Sequence, residues 1–440
     1  MFENVPVFPL DKPALRPLEM VPVRHQGQNL IMVRDPLGVI EGAALLAPDP
    51  LLLAFLEMAD GNTTTGEMTQ KITMATGQIM PAGIIDSMVQ QLDEALMLQS
   101  ERFVAALRAK YEAFLASPTR PYKVFQAQGN DRLAMMKQLG DEFRRHRMSA
   151  LSPPARIDLP AGSVVGILSP HIDYNRGGEA YAWAYQALKD CGTGAKTYIV
   201  LGTVHRPTGH RFVATKKNYD TPFGAVETDT ALLDEIAKEF GGELFAEEYV
   251  HADEHSIELQ AVYLKQVFGD KAPRIVPILC GTIEDLLEEE GASPMDDPEV
   301  RAFTSALRTV LERHGDSVGI IGGVDFSHCG TAFGDEQTND DARTKEIESG
   351  DRAALAAIES GKPDAFFDTF RADFNARKVC SITAIYCTTE ALRGRAKAKT
   401  LAYHQSNSPD KSTLVSFASV AFVKEGVEAK PVSRIILATR

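Results

Sequence analysis

From about residue 160 to 425, short unbroken apolar runs alternate with stretches of helical period. "SVVGIL", "KTYIVLG", "RIVPILCG", "SVGIIGGVDFSH" and "STLVSFASVAFV" are the apolar runs. "GGEAYAWAYQALKDCG", "TDTALLDEIAKEFGG", "HSIELQAVYLKQVFG" and "PEVRAFTSALRTVLERHG" separate them, and a helical stretch covers 339–393. Apolar runs without polar alternation predict strands buried on both faces, and amphipathic helices between them predict the covering layers. The fold class is therefore α/β, a buried mixed or parallel sheet with flanking helices. No glycine-rich nucleotide fingerprint follows any of these strands.

The first 110 residues have a different rhythm. "PDPLLLAFLEMADG", "NTTTGEMTQKITMATG" and "MPAGIIDSMVQQLDEALML" read as three short helices, two closed by Gly61 and Gly77. "NLIMVRDPLGVI" and "LMLQSERFVAA" flank them as a β-wing, giving a small winged-helix-like module. Residues 111–159 read as a helical linker packed on the second domain, with His146 of "FRRHRM" on a solvated face. The α/β domain then spans 160–426, and 427–440 is a tail.

Composition narrows the function classes. With 46 basic against 60 acidic residues, the formal charge is −14, so binding to nucleic acid gains nothing from electrostatics. The longest apolar stretch near the N-terminus is broken by Glu41, Asp49 and prolines, so no membrane span is expected. The five cysteines, at 191, 280, 329, 380 and 387, form no disulfide framework; a cytoplasmic protein with reduced thiols is the expectation.

The candidate chemistry stands at the strand ends. "VVGILSPH" finishes at His171, "TYIVLGTVH" at His205, and "VGIIGGVDFSH" at Asp325 and His328. Strand ends of an α/β sheet face one crevice, and imidazoles with a carboxylate there suit a metal ion. "ADEHSIELQ" opens a helix. Glu254 and Glu258 are accounted for by the helix dipole, while His255 fits either a cap or a base beside the metal. Asp173 and Tyr174 could line the same crevice. Iron(II) would suit two imidazoles with a carboxylate; a thiolate in its place would favour copper, zinc or thiolate-bound iron.

"SPHIDYNRGG", "LGTVH", "TPFGAVETD", "DEHSIELQ", "GGVDFSH" and a cysteine before a final helix occur in this order over residues 160–425. In this the chain resembles the Memo-like family, also described as AmmeMemoRadiSam system protein B. The resemblance implies a fold like that of class III (LigB-type) extradiol dioxygenases. It implies an iron or copper site, with zinc possible, at His171, His205 and Cys380, and catalytic pocket roles for His255, Asp325 and His328. Where the family has Cys-Gly-Pro, this chain reads "CSITAI", which leaves Cys387 as a competing ligand, and the family's N-terminal Trp-Tyr segment is not evident. The N-terminal module resembles the peptide-binding domain of peptide-modification chaperones. That implies a peptide or protein partner, and the family name implies radical-SAM system proteins. A dioxygenase-like oxidoreductase, a non-catalytic binding subunit and a zinc hydrolase are the functions these resemblances leave open.

Overall fold

A computed structural model describes residues 5–426 except positions 26, 36, 41–43, 78, 125–130, 153–156 and 290. The 427–440 tail lies outside the described residues. The chain folds as two units, Met1–Ser117 and Pro118–Arg440.

In the first unit, β1 (Glu19–His25), β2 (Gln28–Arg34) and β3 (Ala44–Leu46) form an antiparallel sheet. Helices α1 (Pro50–Met58), α2 (Thr65–Thr76), α3 (Ile84–Glu94) and α4 (Glu101–Ala116) follow. Their starts are written locally: Asp49 caps α1, Thr64 and Glu67 form a reciprocal capping box on α2, and Ser100 caps α4. Gly77 ends α2 at φ +68°, where a left-handed residue is needed. Phe55, Met68, Ile72, Ile85, Val89 and Leu92 close over Val33 as the core. The second strand of the expected wing is absent among the described residues: Leu98 makes one bridge to Leu15 and the chain enters α4.

The second unit begins with β4 (Thr119–Arg120) and α5 (Arg132–Ala150). Then come β5 (Val164–Ser169), α6 (Tyr174–Cys191), β6 (Thr197–Thr203), β7 (Phe212–Ala214) and β8 (Asn218–Tyr219). Helices α7 (Thr230–Phe240) and α8 (Ser256–Phe268) lead to β9 (Arg274–Cys280), α9 (Pro298–His314), β10 (Val318–Gly323) and β11 (His328–Cys329). Helices α10 (Asp341–Glu359), α11 (Pro363–Asp368) and α12 (Ile382–Ala391) precede β12 (Ala396–Asn407) and β13 (Leu414–Lys424). The sheet order is β11-β13-β5-β10-β6-β9-β7, with β12 paired to β13. Strands β5, β10, β6 and β9 are parallel; β13 and β7 join antiparallel.

Both faces are covered, as the unbroken apolar runs require. One carries α7, α9, α10, α11 and α12, through residues such as Leu233, Phe303, Phe366 and Ile385. The other carries α5, α6 and α8, through Phe143, Tyr181, Tyr185 and Val262. β12 had no strand signal, because its lysines alternate into solvent at the sheet edge. His146 is not solvated: its side chain is 19% exposed, and a Cβ on Gly178 of α6 would stand 2.3 Å from the ring. The second glycine of "NRGG" therefore lets α5 dock, which the sequence around His146 does not reveal.

Two other glycines set the site. A Cβ on Gly202 of β6 would meet Ser256 Oγ at 2.5 Å, and one on Gly323 of β10 would meet the Ser256 carbonyl at 2.9 Å. Without side chains at these positions, the first turn of α8 descends onto the ends of two adjacent strands. Ser256 Oγ donates to the Thr203 carbonyl at 2.8 Å and fastens it there.

Candidate metal centre

The end of β5 presents His171, the end of β6 presents His205, and the start of α8 presents His255. One ligand atom from each imidazole lies within 4.8 Å of the other two. Ring centroids are 5.0 Å apart for His171–His205, 5.0 Å for His205–His255 and 5.6 Å for His171–His255. His171 is buried, and the other two are partly exposed. Cys380 Sγ, from the loop before α12, lies 3.6 Å from His171 Nε2 and also contacts the His205 ring.

Each ring is oriented through Nδ1. His171 Nδ1–H donates to the Gly323 carbonyl at 3.0 Å. His205 Nδ1–H donates to both Glu254 oxygens at 3.1 Å, and His255 Nδ1 lies 3.2 Å from Glu254 Oε1. Nδ1 engaged by a carbonyl or carboxylate leaves Nε2 as the donor atom, the usual arrangement of metal-binding histidines. Glu254 also accepts the backbone N–H groups of His205, His255 and Ser256, so it caps α8 as well.

The charges are coupled. Burial disfavours the His205 imidazolium, but the Glu254 carboxylate and the Cys380 sulfur outweigh it and hold its pKa well above the ordinary value. Burial likewise opposes the Cys380 thiolate, yet His171 and His205 bring that thiol down to about 6. Burial would raise Glu254, but His205 and His255 hold it well below the carboxylate range. His171 is pushed below its ordinary value by burial, against the pull of Cys380. Three imidazoles and an acidic thiol form a donor set suited to borderline and soft first-row ions. A cavity of about 640 Å³ lined by His205, Arg206, Thr208, His210 and Arg211 adjoins the cluster.

Asp325 stands behind His171. Its Oδ1 accepts the His171 N–H at 3.0 Å, and its Oδ2 lies 3.6 Å from His171 Nε2. Its own N–H donates to Ser381 Oγ at 3.1 Å, which ties this segment to the residue after Cys380. Burial raises the Asp325 pKa, against the attraction of His328. His328 is outside the trio: its Nδ1–H donates to the Phe326 carbonyl at 3.1 Å and its ring meets Phe333 edge-on. Beneath this loop Asp351, fully buried on α10, accepts from Ser327 Oγ (2.6 Å), Arg377 (2.7 Å), Ser416 Oγ (2.5 Å) and Tyr403 (2.9 Å).

The structure thus brings His171, His205, His255, Cys380 and Asp325 together, with His328 at one remove. Cys387 is elsewhere, fully buried in the apolar core on α12, and burial drives its thiol pKa well up. Asp173 is the N-cap of α6, and Tyr174 is buried with its hydroxyl on the Leu259 carbonyl; neither lines the site. His251, four residues from His255, is a satisfied core residue between Tyr219 OH (2.7 Å) and the Val213 carbonyl (2.9 Å), and burial lowers its pKa to about 3. Sequence reasoning missed Glu254, whose dipole explanation was complete in itself. The signal was its place, one residue before His255.

Residues 147–421 match the family model described as Memo-like protein. A MEMO1 family protein of Aquifex aeolicus is 24% identical over 414 residues, covering 93% of this chain and all of that protein. One from Thermus thermophilus is 26% identical over 77% of this chain and 93% of its own length. One from Methanosarcina mazei is 27% identical over 60% of this chain and 88% of its own.

Proposed function

This chain belongs to the Memo-like family, and from that premise we propose that it is a metalloprotein holding iron or copper at His171, His205 and Cys380. His255 is the neighbouring donor. The observation that carries this reading is the convergence of three Nδ1-anchored imidazoles within 4.8 Å, with a thiol of pKa about 6 against them. When bound, such an ion would supply one-electron chemistry toward oxygen and a chelating substrate, as a dioxygenase-like oxidation requires. The chain's own groups do the rest. Glu254 fixes the His205 and His255 rings, and the buried Asp325 carboxylate fixes the His171 backbone. In this reading Asp325 and His328 accept and return substrate protons, and His255 does so when its Nε2 is not engaged by the ion. The cavity beside His205 is the approach for substrate.

The first unit, in this reading, recruits a peptide or partner protein, and the system is radical-SAM-associated and cytoplasmic. Five unpaired cysteines fit a reducing setting, and no helix among the described residues is long and apolar enough to cross a membrane. The third imidazole favours one second reading, a zinc hydrolase with three histidines and a water. Anaerobic purification with elemental analysis, repeated for His171→Ala and His205→Ala, decides between them. Iron or copper lost in both variants, with oxygen uptake by the wild type, supports the first. Stoichiometric zinc without oxygen uptake supports the second. A wild-type protein that takes up none of these ions sinks both.

A further inference from the structure

Arg120 stands ahead of the family-matched stretch, on β4, yet it heads the largest fully buried side chains of the described residues. Its guanidinium is used on four sides. Nε donates to the His251 carbonyl at 2.7 Å and one terminal nitrogen to the Glu254 carbonyl at 2.7 Å. The other donates to the Pro121 carbonyl at 2.9 Å and to the Glu258 carboxylate. Glu258 in turn accepts the N–H groups of Lys123 (3.0 Å) and Val124 (2.9 Å). Residues 119–124 therefore strap the 251–258 segment, and β4 is held in place by pairing with β8.

We infer that Arg120 is a positioning residue of the metal centre, fixing the main chain at 251–254 so that Glu254 can hold Nδ1 of both His205 and His255. The inference rests on the metal reading above and extends the site to a residue outside the matched domain. Neutralising Glu258 would need only a cation. The fork additionally grips two carbonyls of the turn that carries Glu254, which a lysine ammonium cannot reproduce with the same rigidity. Glu254 engages Nδ1 of two of the three rings, so displacing its backbone displaces both donors together.

Arg120→Lys keeps the charge opposite Glu258 and removes the fork. Full-length wild type and variant are titrated anaerobically with Co²⁺, following the thiolate-to-cobalt charge-transfer band for Cys380 and the d–d bands for the imidazoles. The expected result is a loss of Co²⁺ affinity of about 10–100-fold with an altered d–d envelope, at unchanged far-UV circular dichroism. Glu254→Gln shows the same loss, and the double variant is no worse than either single one. Wild-type affinity and spectrum in Arg120→Lys, or additive losses, overturn the inference. Should Arg120→Lys not fold, Arg120→Met with Glu258→Gln removes both charges of the buried pair together, keeps an acceptor for Lys123 and Val124, and is judged by the same titration. A wild type that binds no Co²⁺ defeats the metal reading instead. Positioning is then read on metal-free protein from the downfield His205 Nδ1–H resonance, which Arg120→Lys shifts if the inference holds and leaves unmoved if it fails.

Discussion

Replacing Gly202 with alanine tests whether the descent of α8 onto the sheet sets the spacing of the imidazoles. The added Cβ would stand 2.5 Å from Ser256 Oγ, 2.6 Å from Ile257 Cγ1 and 3.2 Å from Leu279 Cδ2, in a region where all three residues are buried. Ordinary carbon contacts lie near 3.5–4.0 Å, so the first turn of α8 must withdraw by about 1 Å. Overpacking of this kind costs about 1–3 kcal/mol. Strain on the Ser256–Thr203 bond adds about 1 kcal/mol. Together they lower the Tm of the unit that carries the site by about 3–6 °C, at about 2.1 cal/mol/K of unfolding entropy per residue. His255 directly precedes Ser256 and moves with it, so Co²⁺ affinity falls by at least about tenfold. Thermal melts of metal-free protein and a Co²⁺ titration measure the two effects. Gly140→Ala is the control: a Cβ added there, in α5, would meet nothing within 4 Å, so helix propensity raises stability by about 0.5–1 kcal/mol and metal affinity stays put. A Gly202→Ala protein with wild-type Tm and affinity would refute the claim that glycine clearance builds the site.

Alkylation of metal-free protein by iodoacetamide should modify Cys380 first, with a rate that rises as pH climbs through about 6, because only the thiolate attacks. Burial raises the other four thiols, Cys329 to about 11, so mass spectrometry that finds them reacting equally at pH 7 contradicts the charge coupling. Asp351→Ala leaves Arg377 without its buried partner and should cost about 3–5 kcal/mol in urea unfolding; a loss under about 1 kcal/mol would remove Asp351 from any supporting role. Co²⁺ at a hundred times its Kd should raise stability by about 2.7 kcal/mol, reversibly with chelator, and His171→Ala should abolish that gain.

The α/β sheet and the strand-end histidines were legible because both are written locally: apolar runs give buried strands, and the polar residues closing each run stand at the sheet edge. The hidden features depend on partners far along the chain. Cys380 lies 209 residues from the histidine it touches, and only family resemblance singled it out over Cys387. His251 and His255 have similar sequence surroundings, yet one is locked in the core by Tyr219 and the other is turned to the site by Glu254. No local pattern singles out Arg120 or Asp351, since a buried ion's role is fixed by the groups it meets and not by its neighbours in sequence. β12 escaped because edge strands tolerate the lysines that mask a strand pattern.

β13 carries a consequence for biosynthesis. It flanks β5 within the sheet, and Ser416 on it clasps the Asp325–His328 loop through the Phe326 and Ser327 N–H groups. A nascent polypeptide that has already exposed all three imidazoles and the thiol still lacks this strand, and leaves the β5 margin open to foreign pairing. Any product that stops short of residue 414 therefore leaves the sheet margin at β5 unpaired and the 325–328 loop behind His171 without its clasp.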